Sequence, residues 1–174
     1  MIALAFGLLL IHLTLGLIFL AHGAQKLFGV SGGHGLQGTI HMIEMLGLHP
    51  AKWWAIAAAG GEFIGGLLMA LGLFTPLAAL LIASAMLVAI IRAHVPKGFW
   101  NSQGGYEYPL VLFIVALALG VIGAGPYSLD GAIGFAALNP AWFIVGLLFL
   151  VILGLVTWLP STSWVQKHWH ALQP

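Results

Sequence analysis

From Ile2 to Ala21 the chain carries no Asp, Glu, Lys or Arg. That run constrains the fold more than any other feature, because a helix needs about 20 apolar residues to cross a bilayer core. Comparable apolar segments recur at Trp53 to Phe74, Leu77 to Ile91 (extending to His94), Tyr106 to Gly123 and Ala141 to Leu159. Charged residues make up 5% of the chain and hydrophobic ones 61%, whereas about a quarter of a soluble domain is charged. The expected fold class is therefore all-α: a polytopic transmembrane helix bundle with five spans. The first lacks a positive n-region and a small-residue cleavage site, so it reads as a retained span rather than a removed signal peptide.

The connections carry the polar residues. Between Gly29 and Pro50, Leu36, Ile40, Ile43 and Leu46 recur at helical spacing. They predict a short amphipathic helix near 36–47, lying at the interface or re-entering between spans. Gly60-Gly61 and Gly65-Gly66 make the second span small-sided, open to close approach by a neighbour. Thr75-Pro76 reads as a tight turn with proline opening the next helix. Residues 96–105 form a loop, and Ser128 to Asp130 reads as a turn with an Asx-type hydrogen bond. Trp164, Lys167, His168, Trp169 and His170 read as an interfacial anchor.

Five spans put Lys26, Lys52, Arg92, Lys97 and Lys167 on one side of the membrane. The bias of Lys and Arg toward the cytoplasm then predicts N-terminus out and C-terminus in. The net charge of +1, with no basic patch, argues against a nucleic-acid partner. The absence of Cys excludes disulfides and thiolate metal sites. Membrane lipid is the expected surrounding, and a homo-oligomer stays open.

Glu62 is the sharpest single signal, because a carboxylate within an apolar span must stay protonated or find a charged partner. It lies roughly as deep as His12 of the first span, so the two are expected to meet at the midplane, either as a proton-handling pair or as an interhelical hydrogen bond that fixes packing. At about 100° per residue, His12, Phe19, His22, Gly23 and Lys26 share one side of the first helix. A second cluster gathers His22, Lys26, Arg92, His94, Tyr106 and Glu107 near the charged side. There Arg92 and Glu107 form a natural ion pair, with Glu107 in the first turn of its helix. With Phe99, Trp100 and Tyr106 the cluster reads as a headgroup-level pocket for a quinone ring, or as a belt of snorkelling charges and aromatic anchors. His34, His41 and Glu44 are weak metal candidates, on one face if their segment is helical. They match no metal signature, and interfacial polar residues are the simpler reading. No haem attachment motif, phosphate loop or nucleophile elbow is present.

Together these pieces resemble the DoxX family of small bacterial and archaeal membrane proteins. The matching residues are His22-Gly23-Ala24-Gln25-Lys26-Leu27-Phe28-Gly29, Glu62 with Gly65-Gly66, and Gly72-Leu73-Phe74-Thr75-Pro76. They continue through Gly98-Phe99-Trp100, Gly105-Tyr106-Glu107-Tyr108-Pro109, Gly125-Pro126 and Ser128-Leu129-Asp130. The resemblance implies a four-helix membrane bundle over 1–131, leaving 132–174 as an additional span and tail. It also implies the cell membrane of a prokaryote. The family takes its name from the likeness to a subunit of an archaeal thiosulfate:quinone oxidoreductase, and its members are commonly labelled oxidoreductases.

The expected function is that of a membrane subunit in a quinone-linked redox system. Glu62 and His12 would hold or relay a proton, His22 and Lys26 would contact the quinone oxygen or an anionic substrate, and Glu107 would orient them. Quinone is the cofactor the resemblance implies; no motif encodes one. Without Cys the chain would need a partner subunit carrying the redox centre. The alternative is a non-enzymatic assembly, transport or scaffold protein whose buried polar residues serve helix packing.

Overall fold

A computed structural model describes the backbone of residues 2–135 and 140–169 and the side chains of 2–135 and 143–158. The anchor at Trp164 to His170 falls outside the described side chains. The helices are α1 (Ile2–Phe28), α2 (Gly35–Met45), α3 (Ala51–Leu71), α4 (Thr75–Ala89), α5 (Glu107–Ile122), α6 (Leu129–Ala132) and α7 (Pro140–Trp169). A π-helical turn, Ile90–His94, and a short 3-10 turn, Val95–Lys97, continue α4.

Among the described residues, three helices are long and apolar enough to cross a membrane: Ile2–Phe28, Ala51–Leu71 and Thr75–Lys97. The helices at the expected fourth and fifth spans are apolar but shorter in their described parts, Glu107–Ile122 and Phe143–Trp158. Sixteen residues in α5 reach about 24 Å, less than the roughly 30 Å of hydrocarbon a span must cover.

Glycine sets the closest contact. A methyl group on Gly66 would lie 2.3 Å from the Leu20 nitrogen, and one on Gly23 would lie 2.4 Å from the Phe63 nitrogen. Bare backbone at these points lets α1 and α3 run antiparallel almost in backbone contact. The core beside them joins Leu15, Phe19, Met69, Ala78, Ile82, Met86, Ala116 and Leu119, from α1, α3, α4 and α5. The small residues of α4 admit both neighbours. α7 packs on its outer side, Gly146 against Leu80 and Gly154 against Leu87.

The amphipathic stripe forms α2, and its apolar residues find a protein partner. Ile43 and Leu48, flanked by Leu36, Ile40 and Leu46, pack on Ala51 and Ala55 at the start of α3. Outward faces of α1, α5 and α7 expose Leu4, Leu10, Val111, Ile114, Leu148 and Val151, the apolar band expected where lipid is the solvent. Pro76 sits in the first turn of α4, as predicted. Ser128 caps α6 by accepting from the Gly131 N–H at 3.0 Å. The carboxylate of Asp130 does not close the expected local turn; it crosses to the start of α4.

Candidate functional site

The antiparallel register of α1 and α3 decides which side chain Glu62 meets. Gly23 faces Phe63, so the carboxylate lies against the last turns of α1, where Lys26 projects. Lys26 Nζ donates to Glu62 Oε1 at 2.5 Å. The Glu62 side chain is 2% exposed and that of Lys26 29%: the acid is sealed inside while the base reaches toward the bundle's end. Lys26 is also placed where a helix C-terminus favours a cation. Among the described residues Glu62 Oε2 has no hydrogen-bond partner although it is buried. The Thr39 hydroxyl donates to the Lys26 carbonyl at 3.0 Å and ties α2 to this corner.

His12 does not meet Glu62. Fourteen positions separate it from Lys26, about 21 Å along the helix axis. Its buried ring lies instead beside the far end of α3, with Nδ1 3.0 Å from the Met69 carbonyl and Nε2 3.4 Å from the Tyr127 carbonyl. Both neighbours are carbonyl acceptors, so the nitrogen that carries the ring proton donates to one of them. The contact fastens α1 to the end of α3.

His22 also leaves the expected shared face. At 100° per residue it is turned roughly 80° from His12, enough to move its ring to the exposed side. There it lines a cavity of about 360 Å³ with Ile18, Ala21, Gln25, Ser31 and Tyr108. That volume lies within the range of small-molecule sites, about 300–1,000 Å³. Ser31 adopts a left-handed backbone (φ 52) at the cavity wall, and its carbonyl accepts from Gln25 Nε2 at 3.2 Å. Tyr108 and Ser31 were not singled out as site residues from the sequence. Ser31 lies between Gly29 and Gly32, both at positive φ, and a glycine-flanked tight turn is the only signal that pointed there.

The remaining candidates separate. Arg92 and Glu107 do not form the expected ion pair. Glu107 Oε2 accepts instead from the Asn101 N–H at 3.0 Å, because Glu107 opens α5 at the mouth of a loop whose amides need acceptors. Arg92 turns inward, 7% exposed. Phe99 stacks edge-on against Trp100 and Tyr106 with ring centres 5.1 and 5.4 Å away. Phe99 and Trp100 stay exposed, and none of the three rings is among the residues that line the His22 cavity. His34 precedes α2 rather than joining it. His41 and Glu44, both exposed, approach to 3.9 Å. Among the described residues no three His, Asp or Glu side chains are grouped to hold a metal.

Similarity to known proteins follows the same elements. The DoxX family model matches residues 7–95, the stretch that holds His12, His22, Lys26, Glu62 and Arg92. A Bacillus subtilis (strain 168) protein that bears the name "Putative oxidoreductase CatD" is 32% identical over 124 residues, which cover 71% of this chain and 84% of that protein. No solved structure matches.

Proposed function

This chain belongs to the DoxX family, and from that premise we propose that it is the membrane subunit of a quinone-linked oxidoreductase system in which the Lys26–Glu62 pair handles a proton. The observation that carries this is the buried pair itself: one carboxylate oxygen on the ammonium, the other without a partner among the described residues. An acid held 2% exposed inside a helix bundle is costly, and such residues commonly mark proton or substrate sites. The ammonium gives it a charged partner, and the spare oxygen can take or release a proton. The cavity at His22 and Tyr108 supports a quinone ring nearby on α1. Its apolar walls suit the ring, and the imidazole and phenol can donate to ring carbonyls. Electrons would come from a partner subunit that carries a redox centre.

The test is complementation. Membranes from a host lacking its own copy would be supplied with wild type, E62Q or H22A, and quinone reduction and quinol oxidation measured. Loss of at least tenfold in E62Q, with the protein present in the membrane at wild-type level, is expected. Wild-type rates in both variants would defeat the proposal.

One observation favours the packing alternative. His12, buried and titratable, serves the bond between α1 and the end of α3. If Lys26–Glu62 acts in the same way, replacing both by apolar residues of similar size leaves the host's quinone-linked rate unchanged.

A further inference from the structure

Arg92 is a buried cation that none of the chain's four acidic side chains balances. The sequence has four acidic residues. Glu62 is bonded to Lys26, Glu107 to the Asn101 amide, Asp130 to the opposite end of α4, and Glu44 lies exposed beside His41. The Arg92 side chain is nevertheless inside, 7% exposed, although it lies near the end of the Thr75–Lys97 span. From there a guanidinium normally snorkels to water. Its backbone belongs to the π-helical turn Ile90–His94, a local rewinding found often at functional sites.

Two of its nitrogens, Nε and Nη2, are buried without a hydrogen-bond partner among the described residues. These two form the side edge of the guanidinium. Their N–H bonds run parallel and match two oxygens of one oxyanion. We propose that Arg92 is an anion-binding residue that takes a phosphate-type oxyanion through this edge. The anion supplies the charge that the chain itself lacks. The Phe99, Trp100 and Tyr106 cluster in the loop that follows the turn marks headgroup depth, where a lipid phosphate is at hand; a soluble phosphate reaching the same level has the same chemistry. This reading is independent of any role of Lys26 and Glu62.

The experiment uses the full chain, delipidated in a nonionic detergent. Its thermal midpoint is followed during titration with phosphatidylglycerol, with diacylglycerol as the phosphate-free comparator, and with inorganic phosphate. Wild type is expected to show a saturable rise with a phosphate-bearing ligand and none with diacylglycerol. A rise with phosphatidylglycerol alone identifies lipid as the source, and a rise with inorganic phosphate as well identifies a soluble oxyanion. R92K keeps the charge but not the paired donors, so half-saturation should shift at least tenfold. K97Q, at an exposed lysine, should titrate like wild type. Should R92K fail to fold, the wild-type titrations against diacylglycerol still decide. No saturable response in wild type, or a response equal in R92K, overturns the proposal.

Discussion

Asp130 Oδ2 accepts from both the backbone N–H of Thr75, at 2.9 Å, and its hydroxyl, at 2.7 Å. The other oxygen, Oδ1, accepts from the Phe74 N–H at 2.8 Å. A carboxylate from the far side of the sequence thereby caps α4, and its charge suits the positive end of the helix dipole. Phe74 precedes the helix with φ at 47°, a backbone an aromatic residue rarely adopts. The Asp130 amide in turn donates to the Gly72 carbonyl at 2.9 Å, so the 72–75 corner and the α6 turn lock each other. D130A is expected to cost about 2 kcal/mol, the upper range for loss of a cap. Urea or SDS unfolding in detergent checks this. A change below about 0.5 kcal/mol, within the range of ordinary surface substitutions, would mean that other contacts hold the corner.

The Lys26–Glu62 pair predicts a non-additive cycle. K26M leaves the buried carboxylate without its ammonium, a change of about 3 kcal/mol for a broken buried pair. K26M/E62Q removes the uncompensated charge and should recover much of that loss. Unfolding of the four proteins in one detergent measures the coupling. Additive single effects would show that the two side chains do not depend on each other.

Glycines of α3 should differ sharply by position. A methyl group at Gly66 would meet the Leu20 nitrogen at 2.3 Å and the Gly16 carbonyl at 2.8 Å, whereas one at Gly60 meets nothing within 4 Å. G66A must push α1 away and is expected to lower stability by about 1–3 kcal/mol. G60A relieves a flexible residue inside a helix and should be neutral or stabilising by up to about 1 kcal/mol. Thermal midpoints of both in one detergent provide the check.

Hydropathy made the bundle legible, and short-range spacing made α2 and the Pro76 turn legible. The partner of Glu62 was not, because it depends on the axial offset between α1 and α3. Depth estimated from segment ends put Glu62 level with His12; contacts such as Gly23 on Phe63 set it level with Lys26. His22 failed for a related reason, since a rotation of one residue moves a side chain from a helix interface to its rim. Arg92 and Glu107 are close in sequence across a loop, yet the π-helical turn and the loop's own amides give each a different setting. The cap from Asp130 joins residues more than fifty positions apart, beyond the reach of local motif reading.

His12 separates packing from proton handling. Its Nδ1 lies 3.0 Å from the Met69 carbonyl, and the amide nitrogen of Asn occupies the place of Nδ1 when both share a rotamer. H12N should therefore keep the donor without keeping a titratable ring. H12L loses the donor, while the Met69 carbonyl keeps the Gly72 N–H at 3.0 Å, so the cost is that of one hydrogen bond, about 0.5–1.5 kcal/mol. Stability should fall in the order wild type, H12N, H12L, and quinone-linked activity per folded molecule should be the same in all three. A tenfold loss of activity in H12N with unchanged stability would return His12 to the proton path, despite its separation from Glu62.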